Sequence, residues 1–519
     1  MKNIFKNNIA LWSMVLFFAL VSCETIETNL TDDPSGVGTD DANIEFVFNK
    51  TQLDLASFFQ GTQFDVSQAM RMELMNGSPL YGFHYSATTF DSEWTIAYAG
   101  FLRDAQLVKE LAANIGIGSD EVNGNNYIAA VQIMEAYVIT TLSDIFGDVP
   151  YSEALQGAGN FNPSRDAAED IYAAAFGLLD NSIALIDAGN SVNLANDFYY
   201  NKDMAKWRKL ANTLKLKLAV QSRLHNNTSS AIANGVINEG SYITAANESF
   251  LFNYSSFTDA GNDSRHPLFV SQYVGGAGIY MALPYIEIMV GDPRFNYYFY
   301  HQIGEIYARA HGDNGPPVAT DYPKLSVHGL YPVGGKYNDG TTGTTNPMMG
   351  AAGAGAGVIF TNAFTQFVIA EAQLAFNGNT SAARAALENG IRSSITNVMN
   401  FRPSAIPSGA EIPSQADIDA YVSGALAAYD AASGMEAKLD VVLREYYKSL
   451  WGNGIEAYNN YRRTGYPSGL PASINQSGTF AHTMYYPSVH VTNNTNAPQR
   501  PDLSEKVWWA EGTTFNLDF

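Results

Sequence analysis

Residues 133–155 read IMEAYVITTLSDIFGDVPYSEAL and contain the end of a long apolar helix. Counted from further upstream, apolar side chains recur every three or four residues, at Tyr127, Val131, Met134, Val138, Leu142 and Ile145. The stripe is widened by Ala130, Ile133 and Tyr137, so the pattern predicts a helix that is buried over much of its circumference. Gly147 and Pro150 then end the helix, because glycine accepts the positive φ of a helix stop and proline cannot continue a helix.

Four further stretches carry the same helical period: Asp166–Ile186, Trp207–Leu218, Phe364–Phe376 and Asp440–Tyr461. On the second of these we expect the basic side chains to form a solvated face, namely Lys206, Arg208, Lys209, Lys215 and Lys217. Helices that follow one another across short turns indicate a stack of helical hairpins, so the predicted fold class is mostly α. The amino-acid sequence shows no clear internal repeat with a period of about 34 residues.

Two long stretches lack a regular period, residues 240–360 and 464–519. Loops of this length inside a folded domain are usually functional, and their aromatic content favours order. The glycine-rich segment GAAGAGAGVIF at 350–360 looks superficially like a nucleotide-binding loop, but no apolar strand precedes it. We therefore predict a flexible loop there.

The amino terminus has the pattern of a targeting segment. Lys2 and Lys6 precede a mostly apolar run at 9–21, which has the length of a signal-peptide core and is too short to span a bilayer. The run ends in LVSC, and Cys23 is the only cysteine of 519 residues. This arrangement resembles the lipobox of bacterial lipoproteins, in which the cysteine is acylated once the preceding peptide has been removed. The alternative is a buried cysteine beside an ordinary signal peptide.

These features predict three parts: a lipoprotein signal peptide at 1–22, an acidic flexible tether at 23–45 that starts at the lipid-bearing Cys23, and a folded domain at 46–519. An acylated Cys23 can form neither a disulfide nor a thiolate metal site. No later segment reaches about 18 consecutive apolar residues, so we expect a protein that is anchored to a membrane and does not span it.

The charge excludes one class of partner. With 29 basic and 51 acidic residues the formal net charge is −22. Binding to nucleic acid or to an anionic lipid surface depends on clustered lysine and arginine, so neither is an expected partner. Aromatic residues make up 13% of the chain, which leaves many rings for clefts as well as for a core.

Six stretches together resemble the signatures of one family. They are IMEAYVITTLSDIFGDVPYSEAL (133–155), MAKWRKLANTLKLKLAVQSR (204–223), MVGDPRFNYY (289–298), FVIAEAQL (367–374), YNNYRRTGYP (458–467) and VWWAEG (507–512). Their order matches that of the SusD/RagB-type outer-membrane lipoproteins of the Bacteroidetes, and more narrowly of the SusD-like group that carries RRTGYP and a terminal VWW. With the lipobox, the resemblance covers nearly the whole chain.

The resemblance implies a fold and a role. It implies tetratricopeptide-like helix pairs that form a superhelix, with long irregular insertions building the ligand face, so that 46–519 would be a SusD-like nutrient-binding domain. It implies a SusC-like TonB-dependent transporter as partner, on which the lipoprotein sits at the cell surface and captures a nutrient, often a glycan. Members of the family are binding proteins and not enzymes. Some of them take peptides, so the family does not name the ligand.

The first set of candidate ligand residues lies in NGSPLYGFHYSATTFDSEWTIAYAGF at 76–101. Sugar binding needs flat aromatic surfaces with polar groups at the rim. This stretch offers Tyr81, His84, Asp91, Trp94 and Tyr98. We expect Asp91 to be the N-cap of a helix on which Trp94 and Tyr98, four residues apart, share one face. The alternative is that both rings pack the first helical hairpin.

The second set combines the polar side chains of NDSRHP with two nearby rings. Its members are Asn262, Asp263, Arg265, Tyr273 and Tyr280. The alternative is that these side chains stabilise loops by hydrogen bonds.

The sequence lacks three common catalytic or nucleotide-binding motifs: there is no H-E-x-x-H, no G-x-S-x-G and no G-x-x-x-x-G-K-[ST]. We therefore expect no cofactor, no metal and no catalysis. The alternative is a lipid-anchored surface hydrolase, because the separation of a catalytic carboxylate pair is set by the fold and is not recognisable from sequence spacing. Glu371 stands on an apolar helix, where a buried carboxylate needs a cation, and Arg462 or Arg463 is the expected partner in a structural ion pair.

Overall fold

The computed structural model describes residues 42–75, 80–116, 122–313, 315, 318–475 and 478–513. Helices predominate, which confirms the predicted fold class. The helices are α1 (Ile44–Ala69), α2 (Tyr81–His84), α3 (Asp91–Thr95), α4 (Arg103–Ala113), α5 (Asn125–Phe146), α6 (Ala168–Ala188), α7 (Met204–Gln221), α8 (Ser229–Glu239), α9 (Pro267–Phe269), α10 (Leu283–Met289), α11 (Phe295–Tyr298), α12 (Asn362–Ala375), α13 (Thr380–Met399), α14 (Gln415–Ala431), α15 (Gly434–Ser449), α16 (Gly454–Thr464) and α17 (Ser488–Asn493). The strands are β1 (Phe250–Asn253), β2 (Thr258–Asp259), β3 (Asn262–Asp263), β4 (Phe299–His301), β5 (Ser326–His328) and β6 (Ala356–Phe360).

Successive helices pack on one another in two groups. In the first, α5 packs on α6, α6 on α7, and α7 on α8. In the second, α12 packs on α13, α13 on α14, and α14 on α15. Helix α12 also contacts α7, which joins the two groups. The predicted stack of helix pairs is therefore confirmed.

Helix α5 has the burial that its sequence predicts. Nearly all of its residues are buried, and it ends at Gly147, whose φ is 76°. A helix end leaves its last carbonyl groups without partners, and here donors from the far end of the chain supply them. The donors and their carbonyl acceptors are Arg462 to Asp144 (2.6 Å), the Met484 amide to Ile145 (3.0 Å), Arg500 to Phe146 (2.5 Å) and the Tyr486 hydroxyl to Asp148 (2.9 Å).

The side chain of Asp144 joins five parts of the fold. Its carboxylate is fully buried, and a buried charge is stable only when it is well paired. The donors come from α6, α16 and the 3₁₀ turn Trp508–Ala510, and a lysine of α7 lies close by. They are the Tyr172 hydroxyl (2.5 Å), Asn459 Nδ2 (2.7 Å), Trp509 Nε1 (2.9 Å) and Lys217 Nζ (3.7 Å).

The expected ion pair of Glu371 forms with Arg463. Arg463 Nε lies 3.0 Å from Glu371 Oε1 and its Nη2 lies 2.7 Å from Oε2, while Arg223 Nε lies 3.2 Å from Oε1. Arg462 instead donates to backbone carbonyls of Asp144 and His482. The prediction of a structural ion pair is confirmed, and the chain uses the second arginine of RRTGYP for it.

Lys217 does not belong to a solvated face, so that part of the prediction is wrong. Its side chain is 3% exposed, and Nζ lies 3.2 Å from Glu456 Oε1 on α16. The reason is that α16 covers this side of α7. The other four basic side chains remain half-buried at the surface of α7, each beside a carboxylate: Lys206, Arg208, Lys209 and Lys215.

The sequence-based expectation of one helix from Asp440 to Tyr461 is also wrong. The structure has α15 and α16 there, separated by a turn. Gly452 in this turn has φ 88°, and a Cβ atom on it would lie 2.7 Å from Pro332 Cγ. Asn453 then caps α16, because its side chain accepts a hydrogen bond from the Glu456 amide at 3.1 Å.

The irregular insertions contain three pairs of short antiparallel strands: β1 with β6, β2 with β3, and β4 with β5. All five residues of β6 are buried, so the prediction of a flexible loop at 350–360 is wrong for 356–360. The glycines before β6 serve close packing, since a Cβ atom on Gly350 would lie 1.6 Å from the carbonyl oxygen of Gly335.

Two of the described helices, α5 and α6, are long and apolar enough to cross a membrane by length and composition alone. The apolar window of α5 is 89% buried inside the protein and that of α6 is 28% buried. Core helices pass the same test, and α6 packs between α5 and α7.

We predict that Asp144→Ala destabilises the protein by about 3–5 kcal/mol, because it leaves several buried donors and Lys217 without their acceptor. Chemical denaturation of the variant would measure this loss. Asp170→Ala, an exposed aspartate on α6, is the matched control and is expected to change stability by less than about 0.5 kcal/mol. Equal stability of the two variants would contradict the role assigned to Asp144.

Candidate functional site

A cleft of about 660 Å³ lies between α1, α3 and the β1 to α9 segment, and we call it the large cleft. From α1 it is lined by Leu53, Ser57, Gln60 and Phe64, whose spacing puts them on one helix face. From α3 and the turn after it the lining residues are Ser92, Glu93 and Ile96. From the insertion they include Phe252, Tyr254, Asp263 and Arg265. The two segments that the sequence singles out for ligand binding therefore meet at this cleft.

Asp263 and Arg265 form a forked ion pair at the rim of the large cleft. Arg265 Nε lies 2.9 Å from Asp263 Oδ1 and Nη2 lies 2.6 Å from Oδ2. These hydrogen bonds lower the pKa of Asp263 below its usual value, so the carboxylate stays charged. A fixed carboxylate beside a guanidinium offers both acceptors and donors to a polar ligand, which is the arrangement that fixes a ligand's orientation in a mostly apolar cleft.

Glu93 supplies a second carboxyl group, deeper in the wall. Its Oε2 is buried and has no hydrogen-bond partner among the described residues. Its Oε1 lies against α1, where a Cβ atom on Gly61 would be only 2.2 Å away, so a larger residue there would displace the carboxylate of Glu93. Burial raises the pKa of Glu93. Behind it, burial and the charge of Glu93 raise the pKa of Asp65 to about 7.

The structure places the residues of the first candidate set in different surroundings. Tyr81 is buried, with its hydroxyl 2.9 Å from His311 Nε2. His84 is half-buried with its ring edge-on to Tyr85, and burial lowers its pKa to about 4. Neither residue lines the large cleft.

Asp91 is the first residue of α3 and not its N-cap, so that prediction is wrong. Its carboxylate instead accepts hydrogen bonds from the Ser488 hydroxyl at 2.5 Å and from the Val489 amide at 3.1 Å. Asp91 thus holds the start of α17, a segment almost 400 residues later in the chain.

Trp94 and Tyr98 share one face, as predicted, with ring centroids 4.5 Å apart. The second ring lies in the π-helical turn Ile96–Leu102, and its hydroxyl donates to the carbonyl of Pro150 at 2.7 Å. Neither ring lines the large cleft. They line a separate cleft of about 190 Å³, which we call the small cleft.

The second candidate set is also divided. Asp263 and Arg265 line the large cleft, whereas Asn262 is exposed in the β2–β3 hairpin and does not line it. Tyr273 and Tyr280 are buried, so we correct their assignment as ligand contacts. The hydroxyl of Tyr273 donates to the His328 carbonyl at 2.6 Å, and that of Tyr280 donates to Asp321 at 2.5 Å.

Several lining residues were not predicted from the sequence: Gln60, Phe64, Ser92, Glu93, Ile96, Phe252 and Tyr254. Helical spacing contained part of the signal, because residues 92, 93 and 96 share a face when a helix begins at Asp91. The two aromatic residues lie two apart in a segment that starts in β1, and such residues point to one side of a strand.

A third cleft, of about 460 Å³, is bordered by Leu80 and the start of α2. Leu80 and Phe83 line it together with Tyr485 and Leu503, and the Phe83 ring is 77% exposed. In the described part of the chain no group of three or more His, Cys, Asp or Glu side chains has the arrangement of a metal site. Cys23 and the predicted signal peptide lie outside the described residues, as does most of the tether.

The model of the SusD-like_2 family, described as "Starch-binding associating with outer membrane", matches residues 39–487. The chain belongs to the SusD/RagB family. The resemblance drawn from the six sequence stretches is thereby confirmed. Members of this Bacteroidetes family are associated with the outer membrane and are generally binding proteins. No curated protein sequence matches the chain significantly.

Solved SusD/RagB structures share the fold. A family member from Bacteroides thetaiotaomicron has a TM-score of 0.70 at 20% identity, over 91% of this chain and 100% of its own. A SusD homologue from Bacteroides fragilis has a TM-score of 0.68 at 19% identity, with coverage of 91% and 100%. A chitin-binding SusD homologue from Flavobacterium johnsoniae has 0.62 at 18% identity, with 90% and 99%. The helix pairs therefore form the tetratricopeptide-like fold of this family.

We predict that the contribution of Asp65 to the stability of the protein falls as pH rises from about 4 to about 7. The pKa of Asp65 is higher in the folded state than the ordinary value of 3.8, so the folded state holds a proton that the unfolded chain releases in this window. The variant Asp65→Asn cannot ionise, so the free energy of unfolding of the unmodified protein should fall relative to that of the variant over the window. Denaturation at about pH 5 and about pH 8 measures both proteins, with Asp170→Asn as the exposed control. Parallel pH dependences of stability for all three proteins would contradict the assignment.

Proposed function

We propose that this protein is a cell-surface lipoprotein that binds an oligosaccharide without turnover and delivers it to a SusC-like TonB-dependent transporter in the outer membrane. The observation that carries the proposal is the large cleft, in which apolar and aromatic side chains meet the forked pair of Asp263 and Arg265. A sugar chain has the complementary surface, because its ring faces are apolar and its hydroxyl groups both donate and accept hydrogen bonds.

The dimensions of the large cleft support a ligand of several units. A volume of about 660 Å³ falls within the ~300–1,000 Å³ of sites that hold drug-sized ligands. Both walls are held by ordered elements, because Glu93 on α3 packs against Gly61 on α1 and β1 pairs with the buried β6. A preformed cleft of this kind loses little entropy on binding, which favours capture of a dilute nutrient.

Two structurally similar proteins support the carbohydrate class. One is a chitin-binding protein with a TM-score of 0.64, and another is the chitin-binding homologue from Flavobacterium johnsoniae. At 21% and 18% identity they do not fix the ligand of this chain. The alternative ligand is a peptide, whose backbone and charged termini also suit a fork of carboxylate and guanidinium.

We expect Arg265→Ala to weaken oligosaccharide binding at least about tenfold, because it removes the donors at the rim of the large cleft. Isothermal titration with neutral chito- and malto-oligosaccharides and with short peptides measures the change. Arg384→Ala is the matched control, since Arg384 forms the same kind of fork with Asp430 on α14, away from the cleft.

Three results would contradict the proposal. Binding of peptides alone would assign the large cleft to the alternative ligand. Equal affinity of Arg265→Ala and the unmodified protein would show that the Asp263–Arg265 pair is not part of the binding site. Shortened oligosaccharides in the titrated sample, detected by mass spectrometry, would indicate the surface hydrolase instead.

The lipid anchor gives a separate prediction. Replacing the sulfur that carries the lipid, in Cys23→Ser, should shift the protein from the membrane fraction to the soluble fraction and leave its oligosaccharide affinity unchanged. Ser22→Ala keeps a small residue before the cysteine and should stay with the membrane. Cell fractionation with immunoblotting reads out both variants. Membrane retention of Cys23→Ser would show that Cys23 is not the attachment point.

A further inference from the structure

The small cleft lies on a different face of the helix that borders the large cleft. Trp94 and Tyr98 form its floor, and Phe161 and Leu155 stand at its rim on the loop after Pro150. His490 and Asn493 close it from α17. Its volume of about 190 Å³ is below the ~300–1,000 Å³ of drug-sized sites, so it suits one ring and not a chain of rings.

The walls of the small cleft are fixed to one another by hydrogen bonds. Asp91 at the start of α3 holds the start of α17 through two bonds. Asn494 Nδ2 donates to the Pro163 carbonyl at 2.8 Å, and the Thr495 amide donates to Asn162 Oδ1 at 2.8 Å. Three separate chain segments therefore enclose a preformed space, which lowers the entropy cost of filling it.

Two apolar side chains at the rim are exposed without an evident packing role. The ring of Phe161 is 72% exposed and the side chain of Leu155 is 38% exposed, and both border the same opening. Leu155 also has a φ of 61°, which costs free energy for a residue with a Cβ atom and is found preferentially at ligand sites. The opening is thus built from features that serve binding better than they serve stability.

The lining of the small cleft carries no charged side chain. Burial, and secondarily Arg165, lowers the pKa of His490 to about 4, so its ring is neutral at neutral pH. The amide of Asn493 is exposed, and its Oδ1 accepts no hydrogen bond from the described residues. The cleft therefore offers aromatic surface and a free acceptor, without an ion partner for a charged ligand.

We propose that the small cleft is a second binding site, separate from the large cleft, for one uncharged hexopyranose ring of a saccharide. The exposed face of Phe161 takes the C–H face of the sugar, and Asn493 Oδ1 accepts a hydrogen bond from a sugar hydroxyl. This site does not depend on the large cleft, so either proposal can fail alone.

The test uses the mature chain carrying Arg265→Ala, which weakens the large cleft. Saturation-transfer NMR measures the binding of methyl glucoside, N-acetylglucosamine, glucosamine, glucuronate and phenol. We expect a neutral hexopyranose to bind saturably, and Phe161→Ala in the same background to weaken that binding at least about tenfold. The matched control is Phe46→Ala on α1, whose ring has the same exposure of 72%. Melting curves check that both variants fold.

Several outcomes would overturn the proposal. If no neutral hexopyranose binds the Arg265→Ala protein, the small cleft is not a sugar site. If Phe161→Ala and Phe46→Ala bind it equally, the binding lies elsewhere. If glucosamine or glucuronate binds as well as N-acetylglucosamine, the site does not select an uncharged ring. If phenol binds and the sugars do not, the cleft takes an aromatic ligand.

Discussion

The buried carboxylate of Asp144 is the interaction on which the rest of the fold depends. A charge without access to water is stable only if donors surround it, and here those donors come from α6, α16 and the 3₁₀ turn Trp508–Ala510, with Lys217 of α7 nearby. The backbone carbonyls beside it take further donors from the last sixty residues. The helix stack is therefore closed by its own C-terminal segment. This also explains why FGDVPY, RRTGYP and VWW, which are far apart in the sequence, act together.

The clefts depend on this scaffold, although none of the buried charged residues around Asp144 lines a cleft. The amino-terminal helix α1 packs on α16, so one wall of the large cleft is held by the same helix that bonds to Asp144. Met484 and Tyr486 belong to the segment that caps α5, and a few residues later this segment forms α17 at the small cleft. Rigid packing on one side of the segment thus fixes a binding surface on its other side.

The sequence predicts those parts of the structure that depend on local periodicity. Helix α5, its stop at Gly147 and the shared face of Trp94 and Tyr98 follow from spacing alone. Lys217 was misassigned because a lysine in a basic run normally faces water, and its partner Glu456 is 239 positions away. Tyr273 and Tyr280 were misassigned because a ring in a loop can be buried as easily as exposed. Glu93 was missed because only the packing of α1 makes its position a cleft wall.

The distant caps of α5 have a consequence for the order in which the chain is made. Until the ribosome has added Arg500 the last turn of α5 lacks one of its donors, and until it has added Trp509 the carboxylate of Asp144 lacks another. A nascent chain that has not reached Trp509 therefore has unpaired polar groups in the core around α5. The fold around α5 is therefore reached only after residue 509 has been added, and the nascent chain stays incompletely folded there until then.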